Sequence, residues 1–248
     1  MLRAILFDLD DTLLGNDTNS FVRNYFGLLS EYAQDKIDAN VLMKALLVSS
    51  QQVMTAPDLA QTNFDQFWQV FCPMIGLERE DVEPFFNEFY GTRFQELEPS
   101  TVFRPAAPAL VAWCLGQGIK VVVATNPVFP EAAIRARLRW AGVPVEETPF
   151  ALVTTMENSW STKPHASYYQ TILDHIDCHP SQALMVGDDL ENDIRPAAEI
   201  GCYTFWVNND NVLSEASALA DAIGTLEELH DMLLQGWPLL HEGDGDVD

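Results

Sequence analysis

The sequence predicts an α/β fold: a parallel sheet covered by helices on both faces, with an all-helical segment inserted after the first strand. Three observations predict it. Short apolar runs stop abruptly at polar residues, as in Ala4-Ile5-Leu6-Phe7 before Asp8. Helical patterns alternate with the later runs. Residues 17 to about 100 carry helical spacing and no strand pattern.

The elements follow in chain order. Residues 2 to 7 read as a buried parallel strand. Phe21, Tyr25, Leu28, Leu29 and Tyr32 then recur at helical spacing, as do Val41, Leu42, Ala45, Leu46 and Val53. Phe64, Phe67, Trp68 and Phe71 make one aromatic stripe, and Val82, Phe85, Phe86 and Phe89 another; stripes of this kind usually form core. The sheet is expected to resume near residue 104. A helix over Ala107 to Leu115 leads to a strand over Ile119 to Ala124, which stops at Thr125-Asn126. Pro130 to Trp140 reads as a helix closed by Gly142, and Phe150 to Val153 as a weak strand. Ala166 to Ile176 precedes the strand Ala183-Leu184-Met185-Val186, which stops at Gly187-Asp188-Asp189. Asn192 to Ile200 is the next helix, closed by Gly201, and Cys202 to Val207 a further weak strand. The predicted organisation is an α/β core at 1–16 and 104–235, an all-helical insertion at 17–103, and a disordered acidic tail at 236–248.

Charge narrows the function. The 248 residues hold 37 acidic against 13 basic side chains, a net charge of -24. Such a surface repels nucleic-acid phosphates and anionic lipid, so neither a nucleic-acid polymer nor a membrane is an expected partner. The first acidic residue follows Met1 too soon for a signal peptide, and no apolar run approaches the roughly 20 residues of a membrane helix. Cys72, Cys114, Cys178 and Cys202 are far apart and form neither a disulfide framework nor a zinc motif. A cytoplasmic location is the expectation.

In a parallel sheet, ligands bind at the carboxyl ends of the strands. Four polar clusters therefore stand out. In Asp8-Leu9-Asp10-Asp11-Thr12-Leu13, one carboxylate can attack phosphorus and a second, two residues on, can move the proton. At Thr125-Asn126, a hydroxyl and backbone N–H groups can hold a phosphoryl oxygen. Lys163, before Pro164, can offset the developing charge. In Gly187-Asp188-Asp189-Leu190-Glu191-Asn192-Asp193, crowded carboxylates repel by about 4 kcal/mol per pair at 4 Å and an effective dielectric of 20. A hard divalent cation such as Mg²⁺ would relieve that conflict. Each cluster alone has a plain alternative: a solvated turn, a loop, a surface lysine, an acidic helix N-terminus.

Taken in order, the four clusters resemble the motifs of the haloacid dehalogenase-like superfamily, over roughly residues 1 to 16 and 104 to 230. The resemblance implies a Rossmann-like (Rossmannoid) core with an all-helical cap inserted after the first motif. It implies an aspartyl-phosphate mechanism with Asp8 as nucleophile and Asp10 as general acid and base. Thr125 and the Asn126 backbone would bind phosphate, and Lys163 would stabilise charge. Mg²⁺ would be held by the Asp8 side chain, the Asp10 main-chain carbonyl and Asp188, with Asp189 or Asp193 acting through water or from behind the ligands.

The leading expectation is a phosphatase acting on a small phosphorylated metabolite. A phosphomutase is the nearest alternative, although that family pattern usually has Gly where this chain has Asp11. A phosphonate hydrolase would need a cap lysine, for which Lys36 and Lys44 are candidates. Asp10 and Asp188 speak against a dehalogenase, which needs no metal. A non-catalytic binding protein on this fold would be expected to have lost a motif acid, and none is lost. The basic residues of the cap are Arg23, Lys36, Lys44, Arg79 and Arg93. So small a set favours sugar or nucleoside monophosphates over polyphosphates.

Overall fold

The computed structural model describes residues 2–209 and 218–237. Its centre is a six-stranded sheet in the order β5-β4-β1-β6-β7-β8, parallel throughout. The strands are β1 (Ala4–Phe7), β4 (Lys120–Val123), β5 (Leu152–Val153), β6 (Ala183–Gly187), β7 (Tyr203–Val207) and β8 (Ala222–Gly224). The apolar run at residues 4–7 forms the strand flanked by β4 and β6, with Phe7 in register with Val123 and Val186. The carboxyl ends of β1, β4 and β6 therefore lie side by side.

The alternation along each strand separates two cores. Ile5, Phe7, Val121, Val123, Leu184 and Val186 face one side, together with helices α5 (Ala106–Gly116), α6 (Glu131–Trp140) and α9 (Leu226–Leu234). Ala4, Leu6, Val122, Ala183 and Met185 face the other, against α7 (Ala166–His175) and Ala197 of the short α8 (Arg195–Glu199). Strands buried on both faces explain why their sequences are continuously apolar rather than alternating.

Between β1 and α5 lie four helices, α1 (Thr18–Ala33), α2 (Ala39–Thr55), α3 (Asn63–Ile75) and α4 (Arg79–Gly91), and a 3₁₀ run over Arg93–Ser100. Asp17, Asp38 and Thr62 cap the first three through side-chain oxygens that accept backbone N–H groups. The expected return of the sheet near residue 104 takes another form. Thr101–Phe103 (β3) pairs antiparallel with Leu14–Asn16 (β2) in a separate two-stranded ribbon, and the main sheet resumes only at Lys120. The two chain crossings thus leave and re-enter through one hydrogen-bonded neck. These three-residue strands are too short to carry a period-2 signal.

Two further differences from the sequence reading concern the later chain. Asn192 does not start a helix: a π-helical turn over Leu190–Ile194 precedes α8. Of the expected disordered tail at 236–248, Gly236 and Trp237 are described. Trp237 packs its ring 6.1 Å from that of Phe205, and residues 238–248 lie outside the described residues.

Phe94 joins the helical segment to the sheet layers. It is fully buried, with its ring stacked on Trp140 of α6 at 5.6 Å and edge-on to Phe21, Tyr25 and Phe89. With Tyr90 at 5.4 Å as a fifth neighbour, truncating Phe94 leaves a void among five rings. Phe94→Ala should lower unfolding free energy by about 3–5 kcal/mol, measured from urea denaturation with an unchanged slope; a loss below about 1 kcal/mol would show that the junction repacks freely.

Candidate active site

The strand ends bring together residues far apart in the chain. Asp8 follows β1, Asp188 follows β6, Thr125 follows β4, and Lys163 arrives on the loop before α7. Lys163 is 3% exposed, and its Nζ donates to Asp8 Oδ1 at 2.6 Å and to Asp193 Oδ1 at 2.5 Å. Asp8 and Asp193 are themselves buried. Single oxygens of Asp8, Asp188 and Asp193 lie within 4.8 Å of one another. Three carboxylates against one ammonium leave two negative charges in excess when all are ionised.

Their proton affinities record that crowding. Burial, with Asp193, Asp188 and Asp10 nearby, pushes the Asp8 carboxyl well above the ordinary 3.8 despite the opposing pull of Lys163. Burial and the fields of Asp193 and Asp11 raise Asp188 to about 7. Asp193 is raised by burial, against Lys163. Burial alone would lower Lys163, but Asp193 and Asp8 hold it well above its ordinary value, so the ammonium stays charged. The donors are all carboxylate oxygens and the local charge excess is two. That chemistry fits a hard divalent cation.

Asp193 belongs to the cluster by distance, but both its oxygens are engaged: Oδ1 by Lys163 and Oδ2 by the Asp189 N–H at 3.1 Å. A Cβ on Gly187 would lie 2.1 Å from Asp193 Oδ2, so only glycine lets this carboxylate reach Lys163. Asp189 turns away and accepts from the N–H groups of Glu191 and Asn192 and from Asn192 Nδ2, capping its own turn. Asp188 accepts from Thr12 Oγ1 at 3.3 Å, while its main-chain oxygen accepts from Trp206 Nε1 at 2.7 Å.

Thr125 is buried, and its carbonyl accepts from both Thr154 Oγ1 and Tyr168 OH at 2.8 Å, which fixes the turn after β4. Asn126 Oδ1 is buried and has no hydrogen-bond partner among the described residues. Asp11 adopts φ 55°, a left-handed conformation uncommon outside glycine. Arg104 holds it there by donating to its carboxylate and its carbonyl, and donates to the Thr12 carbonyl at 3.0 Å.

Asp10 has a partner the motif reading missed. Its Oδ1 accepts from Asn16 Nδ2 at 3.0 Å, and its Oδ2 pairs with Arg137, which projects from α6 and is 1% exposed. The guanidinium lies 4.6 Å from the centre of the Phe129 ring, and its Nε and Nη2 have no partner among the described residues. A buried guanidinium facing rings gains cation–π attraction. The sequence did carry a signal: Arg137 falls on the helix face of Ile134, Leu138 and Ala141, where an apolar residue is expected.

A family model described as haloacid dehalogenase-like hydrolase matches residues 2–201. Haloacid dehalogenase-like hydrolase domain-containing protein 2 of Mus musculus is 24% identical over 222 residues, covering 81% of this chain and 82% of that protein. Among solved structures, a 2-haloacid dehalogenase from Pseudomonas syringae pv. Tomato DC3000 superposes with a TM-score of 0.62 at 18% identity, covering 95% of this chain and 99% of that one. A HAD phosphatase from Thermococcus onnurineus superposes with a TM-score of 0.59 at 19% identity, covering 94% and 98%. At these identities the structural likeness is one of fold.

The raised carboxyls give a signed expectation for stability. Because the folded state holds Asp188 at about 7 against an ordinary 3.8, its protonated form is favoured by folding. That contribution is complete below the ordinary value and is lost as pH rises through about 7. Asp8 and Asp193 shift in the same direction. In a chelator, the melting temperature should therefore fall from pH 5 to pH 8, and Mg²⁺ should restore it most at pH 8. A metal-free melting temperature that climbs across this window would contradict the carboxylate crowding.

Proposed function

The chain belongs to the haloacid dehalogenase-like hydrolase family, and from that premise we propose that it is a Mg²⁺-dependent phosphatase cleaving a small phosphate monoester through an aspartyl phosphate on Asp8. One observation carries the reading: a buried carboxylate at a strand end, fixed by a lysine and crowded by two further carboxylates. A nucleophile needs to be ionised and aimed, and Lys163 favours both. The carboxylate excess is what a divalent cation would neutralise, and the bound cation would in turn attract an anionic phosphoryl group.

In the proposed reaction, an Asp8 carboxylate oxygen attacks phosphorus, and the P–O bond to the alcohol breaks. The leaving oxygen takes its proton from Asp10. Water then attacks the phosphoryl group, giving its proton back to Asp10, and the Asp8–phosphorus bond breaks to release inorganic phosphate. Thr125 and the Asn126 backbone would hold the phosphoryl oxygens, and Lys163 would offset their charge in both steps. Mg²⁺, held by Asp8, the Asp10 carbonyl and Asp188, would supply charge neutralisation and orient the phosphoryl group. Arg137 and Asn16 would set the direction of the Asp10 carboxylate. Helices α1 to α4 would serve as the cap that excludes bulk water.

The same residues weigh against the neighbouring chemistries. A dehalogenase has no use for the charge excess of Asp188 or for a proton carrier at Asp10. A phosphonate hydrolase needs a free amine near the substrate, yet Lys36, in the turn between α1 and α2, sits over the Phe85 ring at 4.5 Å. The four cysteines are free thiols, three of them buried, which suits a reducing cytoplasm. No helix among the described residues is long and apolar enough to cross a membrane.

The test is hydrolysis of p-nitrophenyl phosphate with and without Mg²⁺, alongside Asp8→Asn. Wild-type turnover should require the metal, and the variant should lose it by about 10⁴-fold or more, since an amide cannot accept the phosphoryl group. Its metal-free melting temperature should hold or rise, because one of the crowded charges is gone. Turnover near wild type in a purified, folded Asp8→Asn sample would overturn the mechanism.

A further inference from the structure

A cavity of about 250 Å³ lies among helices α1 to α4 and the loop that follows β4. Its wall is aromatic: Tyr25, Trp68, Phe71, Phe86, Tyr90 and Phe129 all face it, and no charged side chain lines it. The space is partly open to solvent, and a concave, mostly apolar recess of this kind is the usual form of a small-molecule site. An apolar cavity of roughly 150 Å³ is enough to hold benzene, so this one has room for a single ring with a short chain.

Three observations connect the cavity to the proposed active site. Val128, Phe129 and Pro130 belong to the loop that begins with Thr125 and Asn126. The Phe129 ring lies 5.3 Å from Tyr25 and under the Arg137 guanidinium, which pairs with Asp10. Met54, another wall residue, accepts through its carbonyl from Thr162 Oγ1 and bonds the His165 ring, on either side of Lys163. The residue proposed to protonate the leaving oxygen is thus linked to the cavity wall through the Arg137 guanidinium and the Phe129 ring.

The chemistry of the wall selects the occupant. A sugar or polyol needs several hydrogen-bond partners, and a charged group needs a counter-ion. None of the basic residues Arg23, Lys36, Lys44, Arg79 and Arg93 lines the cavity, and two are paired elsewhere: Arg79 with Asp65 and Glu83, and Arg93 with Glu31 and Glu96. Arg137 is matched by Asp10. The wall offers mostly apolar and π faces; its polar groups are few, the Tyr25 and Tyr90 hydroxyls bonded to each other, Ser50, Asn87, and Trp68 Nε1, which is buried without a partner among the described residues. We propose that this cavity binds the leaving group of the substrate, and that the substrate is the phosphate monoester of an apolar, ring-bearing or branched alcohol. This rests on the phosphatase reading and replaces the sugar or nucleotide leaving group that the sequence favoured.

The test compares two primary alkyl esters with similar leaving groups, 2-phenylethyl phosphate and glycerol 1-phosphate, on the full chain with Mg²⁺. The expected result is a kcat/KM at least about tenfold higher for the phenylethyl ester, carried mainly by KM. Ser50 lines the cavity, and Ser50→Phe, which fills it, should bring the two esters to within about threefold. Calorimetric titration of the wild type with 2-phenylethanol provides a readout that needs no turnover and no variant: saturable binding is expected, and glycerol should give none. Turnover of both esters without a preference for the phenylethyl one would overturn this inference and leave the phosphatase reading intact. No turnover of either ester would overturn the phosphatase reading. In that case saturable 2-phenylethanol binding would still support the cavity as an apolar subsite, and its absence would overturn it.

Discussion

The site depends on one interaction, the Lys163 ammonium shared between Asp8 and Asp193. It is a buried cation meeting two buried anions that approach from opposite sides of the chain. Without the lysine, the strand ends of β1 and β6 would present carboxylates to one another in a place with little water to screen them. With it, the cluster stays two charges short of neutrality. That residual imbalance is the physical reason for expecting a divalent cation between these strand ends.

The rest of the fold can be read as the support of that cluster. The register of β1 between β4 and β6 sets Asp8 beside the turns that carry Thr125 and Asp188. Gly187 leaves the space that Asp193 needs, and Thr154 and Tyr168 fix the Thr125 turn from behind. On the other side of Asp8, Arg104 pins Asp11 in a left-handed conformation, and Arg137 and Asn16 pin the Asp10 carboxylate. The chain is strongly acidic overall, yet it places basic side chains at the points where strand-end carboxylates crowd.

Much of this was legible in the sequence, for a physical reason. Strands buried on both faces need unbroken apolar runs, so β1, β4 and β6 and the polar residues that end them announced themselves. The residues that orient the motif side chains were harder to see. Arg137 lies 127 positions from Asp10, and only its place on an apolar helix face hinted at a buried partner. The β2–β3 neck is too short for periodicity to reveal, and β8 holds only three residues. Asp189 and Asp193 were indistinguishable as neighbouring acids. The turn that follows β6 separates them, sending one to cap its own backbone and the other into the core. In the sequence the aromatic stripes read as packing. Much of that reading holds, since Phe71 and Phe89 are buried, but the stripes also leave a cavity between them that no linear pattern could show.

The most direct measurement of the central claim is chemical trapping. An acyl phosphate on a carboxylate is reduced by borohydride to the alcohol, so a phosphorylated Asp8 would become homoserine. Incubation with substrate and Mg²⁺, borohydride quench and peptide mass spectrometry should find homoserine at position 8 alone, and none when substrate is omitted. Homoserine at another aspartate, or an unmodified Asp8 peptide under conditions of steady turnover, would contradict the account.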